Sequence, residues 1–188
     1  MQFDKVVKSR KSVRRYSEKK PDWRKVIRAI DSARYAPIAG NLFITKFILI
    51  QDKKIIEKLA IASQQDFVSS AHYVIAVVSE DYKLERNFGE RGKIYSRQQA
   101  GAAIENVLLA LNSLDLASCW IGAFDENNVK LLLKVPDNCT VDALITVGIA
   151  TKIPTSDKHK TELENILFFD KYNNRFMEPK TRVSFNTV

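Results

Sequence analysis

Basic side chains alternate with other residue types near the start of the chain, and a hydroxyl donor, Ser12, lies between them. This N-terminal basic group consists of Arg10, Lys11, Arg14 and Arg15. A second basic group follows much later, at Lys152, Lys158 and Lys160. If folding brought the two groups together, they would surround a phosphate dianion with charge-assisted hydrogen bonds from several directions. On charge alone, a solvated basic surface is the simpler interpretation.

Two loop positions carry chemistry suited to a heterocyclic ligand. Asn41 follows Gly40 in a loop after a predicted helix, and its amide can donate and accept hydrogen bonds at once. Gly122 stands between a predicted strand and a helix that Asp125 would cap, where a residue without a side chain lets a ligand approach the backbone. Each position is also compatible with an ordinary turn.

Histidine and cysteine offer little for catalysis or metal binding. The only histidines are His72 and His159, which are too few for a convincing triad, and we expect a core or surface role for each. Of the two cysteines, Cys119 lies in an apolar run and is expected to be a buried thiol, while neither it nor Cys139 has metal-ligand spacing. Glu105 is interpreted as structural or interfacial.

Length and charge bound the class of protein. The chain has 188 residues and 45% hydrophobic residues, which fits a single domain over 1–188. Its net charge of +8 indicates an anionic partner, which could be nucleic acid, an acidic surface or a phosphorylated cofactor. No apolar stretch is long enough to span a membrane, and the charged N-terminus is unlike a secretory signal, so we expect a cytoplasmic protein that binds no membrane.

Periodicity predicts a mixture of helices and strands. Helices are expected at 3–9, from Asp22 to before Pro37, and at 53–63, 97–114 and 126–133. Strands are expected at 47–50, 73–78, 118–124 and 141–149, with another possible at 166–169. Residues 80–96 are polar and charged, and we interpret them as an irregular or lid-like segment. The chain contains no Gly-rich dinucleotide or P-loop motif, which argues against a Rossmann unit.

Five segments, taken in order, carry a resemblance to a known family. They read R-K-S-V-R-R-Y at 10–16, A-P-I-A-G-N at 36–41, A-A-I-E-N-V-L-L-A-L at 102–111, S-C-W-I-G-A-F at 118–124 and K-H-K at 158–160. No single segment is specific, but the ordered set closely resembles the nitroreductase family of FMN-dependent enzymes over about residues 5–170.

The resemblance implies a three-layer α+β fold, with a mainly antiparallel central sheet flanked by helices. It also implies a homodimer that holds FMN at the subunit interface, with the C-terminal segment reaching the partner. NADH or NADPH would deliver hydride to flavin N5, and a nitroaromatic, quinone or similar small acceptor would then take the electrons in a ping-pong scheme. No proton-transferring side chain is required, so no catalytic residue is assigned.

The same resemblance assigns the cofactor contacts position by position. Arg10 and Ser12 match phosphate and ribityl contacts, Lys11 lies along the same flank, and Lys158 and Lys160 match the C-terminal phosphate ligands. Arg14 and Asn41 match residues at the pyrimidine end of the flavin. Gly122 and Ala123 match the backbone that passes flavin N5.

Departures from the family pattern leave the acceptor open. Ile38 stands where the family often has Ser, Phe43-Ile44-Thr45 replaces a usual Gln-Pro-Trp, and Lys160 replaces an Arg. Flavin-dependent dehydrogenation, dehalogenation or flavin breakdown are therefore alternatives to nitro reduction. A nucleic-acid-binding module would use the same charge, but the sequence has no matching motif, so we expect no nucleic-acid partner.

Overall fold

The chain is described here by a computed structural model, which covers residues 2–154 and 161–177. It divides into two compact units, Met1–Pro154 and Thr155–Val188. The larger unit contains the sheet and the six α-helices of the described chain. In the smaller unit, the described residues include one short 3-10 turn at Leu163–Asn165.

Four antiparallel strands form the central sheet of the larger unit. They are β1 (Thr45–Ile50), β2 (Tyr73–Ser79), β3 (Ala117–Ile121) and β4 (Thr140–Gly148), in the spatial order β1-β2-β4-β3. Thr45 pairs with Ser79, which pairs with Thr140, while Ile121 pairs with Leu144. On the opposite edge from β1, β3 therefore runs toward the end of the sheet where β1 starts and stops level with the middle of β4.

Six helices surround this sheet: α1 (Phe3–Ser9), α2 (Trp23–Asp31), α3 (Lys53–Ser63), α4 (Asp81–Phe88), α5 (Arg91–Ser113) and α6 (Glu126–Leu133). Aspartates cap three of them. The Asp22, Asp52 and Asp125 carboxylates accept backbone N–H bonds from the first turns of α2, α3 and α6. Such caps satisfy N–H groups that have no partner within the helix, which explains where these helices begin.

The alternation of β2 side chains divides the core between two faces of the sheet. Every residue of β2 is buried. Tyr73, Ile75 and Val77 belong to a cluster with residues of α2 and α5, whereas Val74 and Ala76 belong to a second cluster with residues of α3 and α6. Helices thus cover both faces of an antiparallel sheet, as expected for a three-layer α+β fold.

The expectation of an irregular segment at 80–96 is wrong. Residues 81–88 form α4, and α5 begins at Arg91, not near residue 97. The polar residues here are internal partners: Ser96 and Arg97 both bond the nearly buried Asp81 carboxylate. Gly92 permits a close helix contact, because a Cβ there would lie 2.5 Å from the backbone nitrogen of Glu85. Asp81 and Ser96 are thus buried partners, while most other polar residues of 80–96 lie on the exposed faces of the two helices.

Two of the strand predictions also differ from the structure. β3 ends at Ile121, so Gly122 and Ala123 lie beyond the strand. Residues 166–169 are not a strand. In the described ranges, no helix is long and apolar enough to cross a membrane, and no group of three or more His, Cys, Asp or Glu side chains could hold a metal ion.

Candidate functional site

The segment that carries the N-terminal basic group runs beside the edge strand β3. Ser12 forms a parallel bridge with Ser118, and the Val13 N–H donates to the Ser118 carbonyl at 2.9 Å. The segment then reaches the end of β4, where Tyr16 bridges Ala150. Because side chains alternate along extended backbone, buried Val13 points inward while its neighbours on either side point away from it.

Three predicted donors influence the pKa of the Cys119 thiol on β3. Burial raises the pKa of this thiol, while the Arg14 charge, a hydrogen bond from Ser12 and the Arg10 charge act in the opposite direction. Because Val13 is buried and side chains alternate along the extended segment, Ser12 and Arg14 lie on the side opposite Val13, as does Arg10 two residues before Ser12. Cys119 is a buried free thiol, as expected, but its surroundings are not purely apolar, which corrects the sequence-based view of them.

The two arginines make different local contacts. Arg10 is mostly buried and its Nε lies 3.8 Å from Oε1 of Glu105 on α5. The Arg14 guanidinium lies over the Phe67 ring, 5.8 Å from its centroid. No carboxylate among residues 2–154 and 161–177 pairs with Arg14. Its positive charge is therefore not neutralised by a described acid.

Lys11 contacts the chain that follows β4. Its ammonium donates to the Pro154 carbonyl at 2.9 Å. Lys11 and Arg10 also line a cavity of about 420 Å³ between α1, the start of β3 and residues 150–153. Lys158 and Lys160 lie outside the described residues, so their part in the site stays a prediction.

Tyr16 anchors the basic segment, a role that sequence reasoning missed. Its hydroxyl donates to the Val13 carbonyl at 2.7 Å and shares a 2.6 Å hydrogen bond with Thr146 of β4. Burial raises the pKa of the phenol well above its usual range. Gly148 makes room for the ring, since a Cβ there would lie 2.6 Å from it. Tyr16 and Thr146 are 130 positions apart in the chain, so no local sequence pattern indicates their contact.

Gly122 and Ala123 follow β3 directly and are both exposed. A Cβ added to Gly122 would meet no atom within 4 Å, so open space adjoins this backbone. The strand rise places Gly122 about 13 Å from Ser118 along the edge of the sheet. The basic segment and the Gly122 backbone therefore lie along one edge strand.

Asn41 lies on the opposite edge, in the turn that precedes β1. Gly40 and Asn41 both have left-handed backbone, with φ of 57° at each, a conformation that Gly and Asn adopt more readily than other residues. Both are exposed. Three strand spacings separate β1 from β3, about 14 Å. The structure thus groups Arg10, Ser12, Arg14 and the Gly122 backbone, but it does not bring Asn41 of the same chain to them.

His72 has a structural contact, as expected. Its Nε2 lies 3.1 Å from the Glu18 carbonyl, next to the start of β2. His159 lies outside the described part of the chain. Glu105, interpreted from the sequence as structural or interfacial, is the partner of Arg10.

Comparison with known proteins yields a consistent set of relatives. The family model described as Nitroreductase family matches residues 7–66 and 61–149. A protein of Archaeoglobus fulgidus, provisionally named NADH dehydrogenase/NAD(P)H nitroreductase, is 27% identical over 148 residues, covering 77% of this chain and 83% of that protein.

Solved structures share the architecture. A nitroreductase family protein of Clostridium difficile 630 is 28% identical with a TM-score of 0.81, covering 91% of this chain and 99% of that one. The NADPH:FMN oxidoreductase of Vibrio harveyi, solved with NAD+, also gives 0.81 at 18% identity, covering 91% and 78%. The latter likeness concerns the fold alone. The expected three-layer α+β fold is confirmed.

Proposed function

Because the chain belongs to the nitroreductase family, we propose that it is an FMN-dependent oxidoreductase that uses NADH or NADPH. The observation that carries the proposal is the placement of the segment with Arg10, Ser12 and Arg14 beside β3, whose far end continues into the exposed Gly122-Ala123 backbone. A mononucleotide has an anionic end and a planar ring end, and this edge offers cations at one position and open backbone at another.

The donor set fits a phosphate. The Arg10 guanidinium and the Ser12 hydroxyl lie on one side of the segment, and charged donors bind phosphate oxygens more strongly than neutral ones. Lys158 and Lys160 follow Pro154 closely in the chain, and the Pro154 carbonyl accepts from Lys11 of the same segment. We propose, on the family resemblance, that both lysines, which lie outside the described residues, complete the phosphate site.

Each remaining residue has one task in this proposal. The chemistry that FMN would supply when held here is hydride acceptance at N5 and two-electron reduction of a small acceptor. Gly122 and Ala123 offer backbone donors and leave room beside N5. Arg14 supplies positive charge at the pyrimidine end, where its charge is not cancelled by a described carboxylate. The acceptor is proposed to be a nitroaromatic, a quinone or a similar small molecule.

The position of Asn41 supports a homodimer. Its turn lies at the β1 edge, about 14 Å from the β3 edge, so one chain is poorly arranged to offer both edges to one flavin ring. A second copy could bring its own Asn41 to the first copy's β3 edge. We therefore propose that each site takes Arg10 from one protomer and Asn41 from the other.

Purification with an absorption spectrum tests the proposal. We expect a yellow protein that releases FMN, not FAD, on heating, with one flavin per chain by chromatography. Adding NADH or NADPH without oxygen should bleach the flavin band. A colourless protein that cannot be reconstituted with FMN would overturn the proposal. Tight binding of nucleic acid by that colourless protein would favour a binding module instead.

A further inference from the structure

Gln99 of α5 is a buried amide directed at the turn that carries Asn41. Its side chain is only 3% exposed. In the orientation that satisfies both ends, its nitrogen donates to the Leu42 carbonyl at 3.2 Å and its oxygen accepts from the Ile44 N–H at 3.0 Å. In the opposite orientation, the Gln99 oxygen accepts from the Ala39 N–H at 3.4 Å, but the Gln99 NH2 group then faces the Ile44 N–H, so that two donors oppose each other. Matching donors to acceptors selects the first orientation.

This amide pairs two backbone groups immediately after the Asn41 turn. Ile44 is fully buried, and an unpaired backbone N–H at such a position is destabilising. Between Ala39 and Leu42 the chain turns through the left-handed residues Gly40 and Asn41, and the Leu42 N–H closes the turn on the Ala39 carbonyl at 3.0 Å. Gln99 therefore fixes the chain immediately after the turn.

Phe88 of α4 holds the same turn from its other side. A Cβ on Gly40 would lie 2.8 Å from the Phe88 ring, so ring and backbone are already in close contact. The ring is itself packed edge-to-face against Tyr95 of α5, with centroids 5.3 Å apart. The Asn41 turn is thus held by the α4–α5 pair and not by its own exposed side chains.

We propose that Gln99 is a positioning residue that orients Asn41 toward the pyrimidine end of the flavin. The inference rests on the proposed function, since it assumes that a flavin binds and that Asn41 contacts it. Gln99 itself touches no ligand in this account. Its effect is transmitted through the backbone of residues 42–44, which sets the direction of the Asn41 amide.

The first test replaces Gln99 by an apolar side chain of similar length. Gln99→Met should weaken both FMN and riboflavin by on the order of 3- to 10-fold, because the pyrimidine ring is common to both ligands. Gln98→Met is the matched control, since Gln98 is the exposed neighbour on the same helix, and it should leave both affinities unchanged. Wild-type affinity in Gln99→Met, or a loss confined to FMN, would overturn the proposal.

A double-mutant cycle separates positioning from general destabilisation. If Gln99 acts through Asn41, adding Gln99→Met to Asn41→Ala should weaken flavin binding no further than Asn41→Ala alone. Additive losses would overturn the proposal. Failure of wild-type protein to bind any flavin would instead refute the proposed function, so the two outcomes are distinguishable.

Gln99→Glu provides a measurement that does not depend on Gln99→Met folding. A carboxyl at this buried position can pair both Leu42 and Ile44 only when it is protonated. Riboflavin, which has no phosphate to titrate, should therefore bind Gln99→Glu more tightly as the pH falls, while wild-type affinity stays level. A level profile for Gln99→Glu would contradict the proposal.

Discussion

Arg10 and Glu105 form an ion pair that joins the N-terminal basic segment to α5, with Nε 3.8 Å from Oε1. Glu105 is about half exposed, so water screens this pair and its contribution to stability is small. Its position next to a proposed phosphate ligand matters more. A carboxylate beside an anion site opposes anion binding while it holds the arginine in place.

Arg10→Ala should weaken FMN binding by roughly 10- to 100-fold, because a charge-assisted hydrogen bond to the phosphate is lost. Riboflavin, which has no phosphate, should bind almost unchanged. Fluorescence titration of both flavins measures the difference, with Arg24→Ala as the control because it removes an equal charge from the exposed surface of α2. Equal losses for the two flavins would show that Arg10 does not hold the phosphate.

Glu105→Gln should have the opposite effect on the same ligand. Removing the negative charge leaves Arg10 available to the phosphate, so FMN should bind more tightly, by at most about fivefold for an exposed pair. The gain should shrink at high salt because screening weakens the original repulsion. FMN affinity that falls in Glu105→Gln would mean that Glu105 chiefly orients Arg10.

Arg14→Gln should lower the midpoint potential of the bound flavin by roughly 30–65 mV, since a cation near N1 and O2 stabilises the negative charge added on reduction. Arg15→Gln is the matched control, being an adjacent exposed arginine on the alternate side of the segment. Equilibrium reduction against a reference dye measures both. A potential within a few millivolts of wild type would refute this role for Arg14.

Local patterns in the sequence predict most of the framework. Asp22 and Asp125 were identifiable as caps because they precede apolar residues at helical spacing, and the continuous apolar run at 73–78 indicated a strand buried on both faces. The sequence does not reveal the two helices at 80–96, because the buried partners Asp81 and Ser96 are 15 residues apart and meet only on folding.

The residues that support the site were harder to predict than those proposed to form it. Tyr16 contacts Thr146, and Gln99 pairs with Leu42 and Ile44, across long stretches of chain. From the sequence alone, Tyr16 and Gln99 cannot be distinguished from ordinary core or surface residues, because their partners become known only with the order of the strands. The separation of Asn41 from Ser12 also follows only from that order.

Gly92→Ala should destabilise the fold by about 1–3 kcal/mol, because the new Cβ would lie 2.5 Å from backbone atoms of Leu84 and Glu85, which cannot move aside. Gly101→Ala is the control on the same helix, where a Cβ would meet no atom within 4 Å. It should raise stability by about 0.5–1 kcal/mol through helix propensity. Chemical denaturation measures both, and similar values for the two variants would contradict this packing.

Asp142 should make stability depend on pH between about 4 and 6. Burial raises its pKa to about 6, and the negative charges of Asp81 and Glu126 act in the same direction. A hydrogen bond from Ser79 and the positive charge of Arg97 oppose this rise. A carboxyl whose folded pKa is raised favours folding when protonated, so this contribution falls as the pH rises from the unfolded to the folded pKa.

Asp142→Asn isolates that contribution. Relative to the variant, wild-type protein should lose roughly 2 kcal/mol of unfolding free energy between pH 4 and pH 7, which is most of the equivalent of the pKa difference. Urea denaturation at several pH values measures the difference. A wild-type advantage that grows with pH would mean that the Arg97 ion pair outweighs burial.

Asn41 and Arg10 are expected to serve the same flavin from different protomers. A heterodimer that pairs an Arg10→Ala chain with an Asn41→Ala chain tests this directly, with two affinity tags to isolate it. If Asn41 acts across the interface, one site carries both changes and the other carries none. FMN titration should then be biphasic, with half of the sites at wild-type affinity.

The reciprocal heterodimer is the control. When one chain carries both Arg10→Ala and Asn41→Ala and its partner is wild type, each site carries a single change, and no site should bind with wild-type affinity. One site should be weakened roughly 10- to 100-fold and the other roughly 3- to 10-fold, as a charged and a neutral hydrogen bond differ. If Asn41 instead served its own chain's flavin, the two heterodimers would exchange these results, and the 14 Å separation across the sheet would have to be bridged within one protomer.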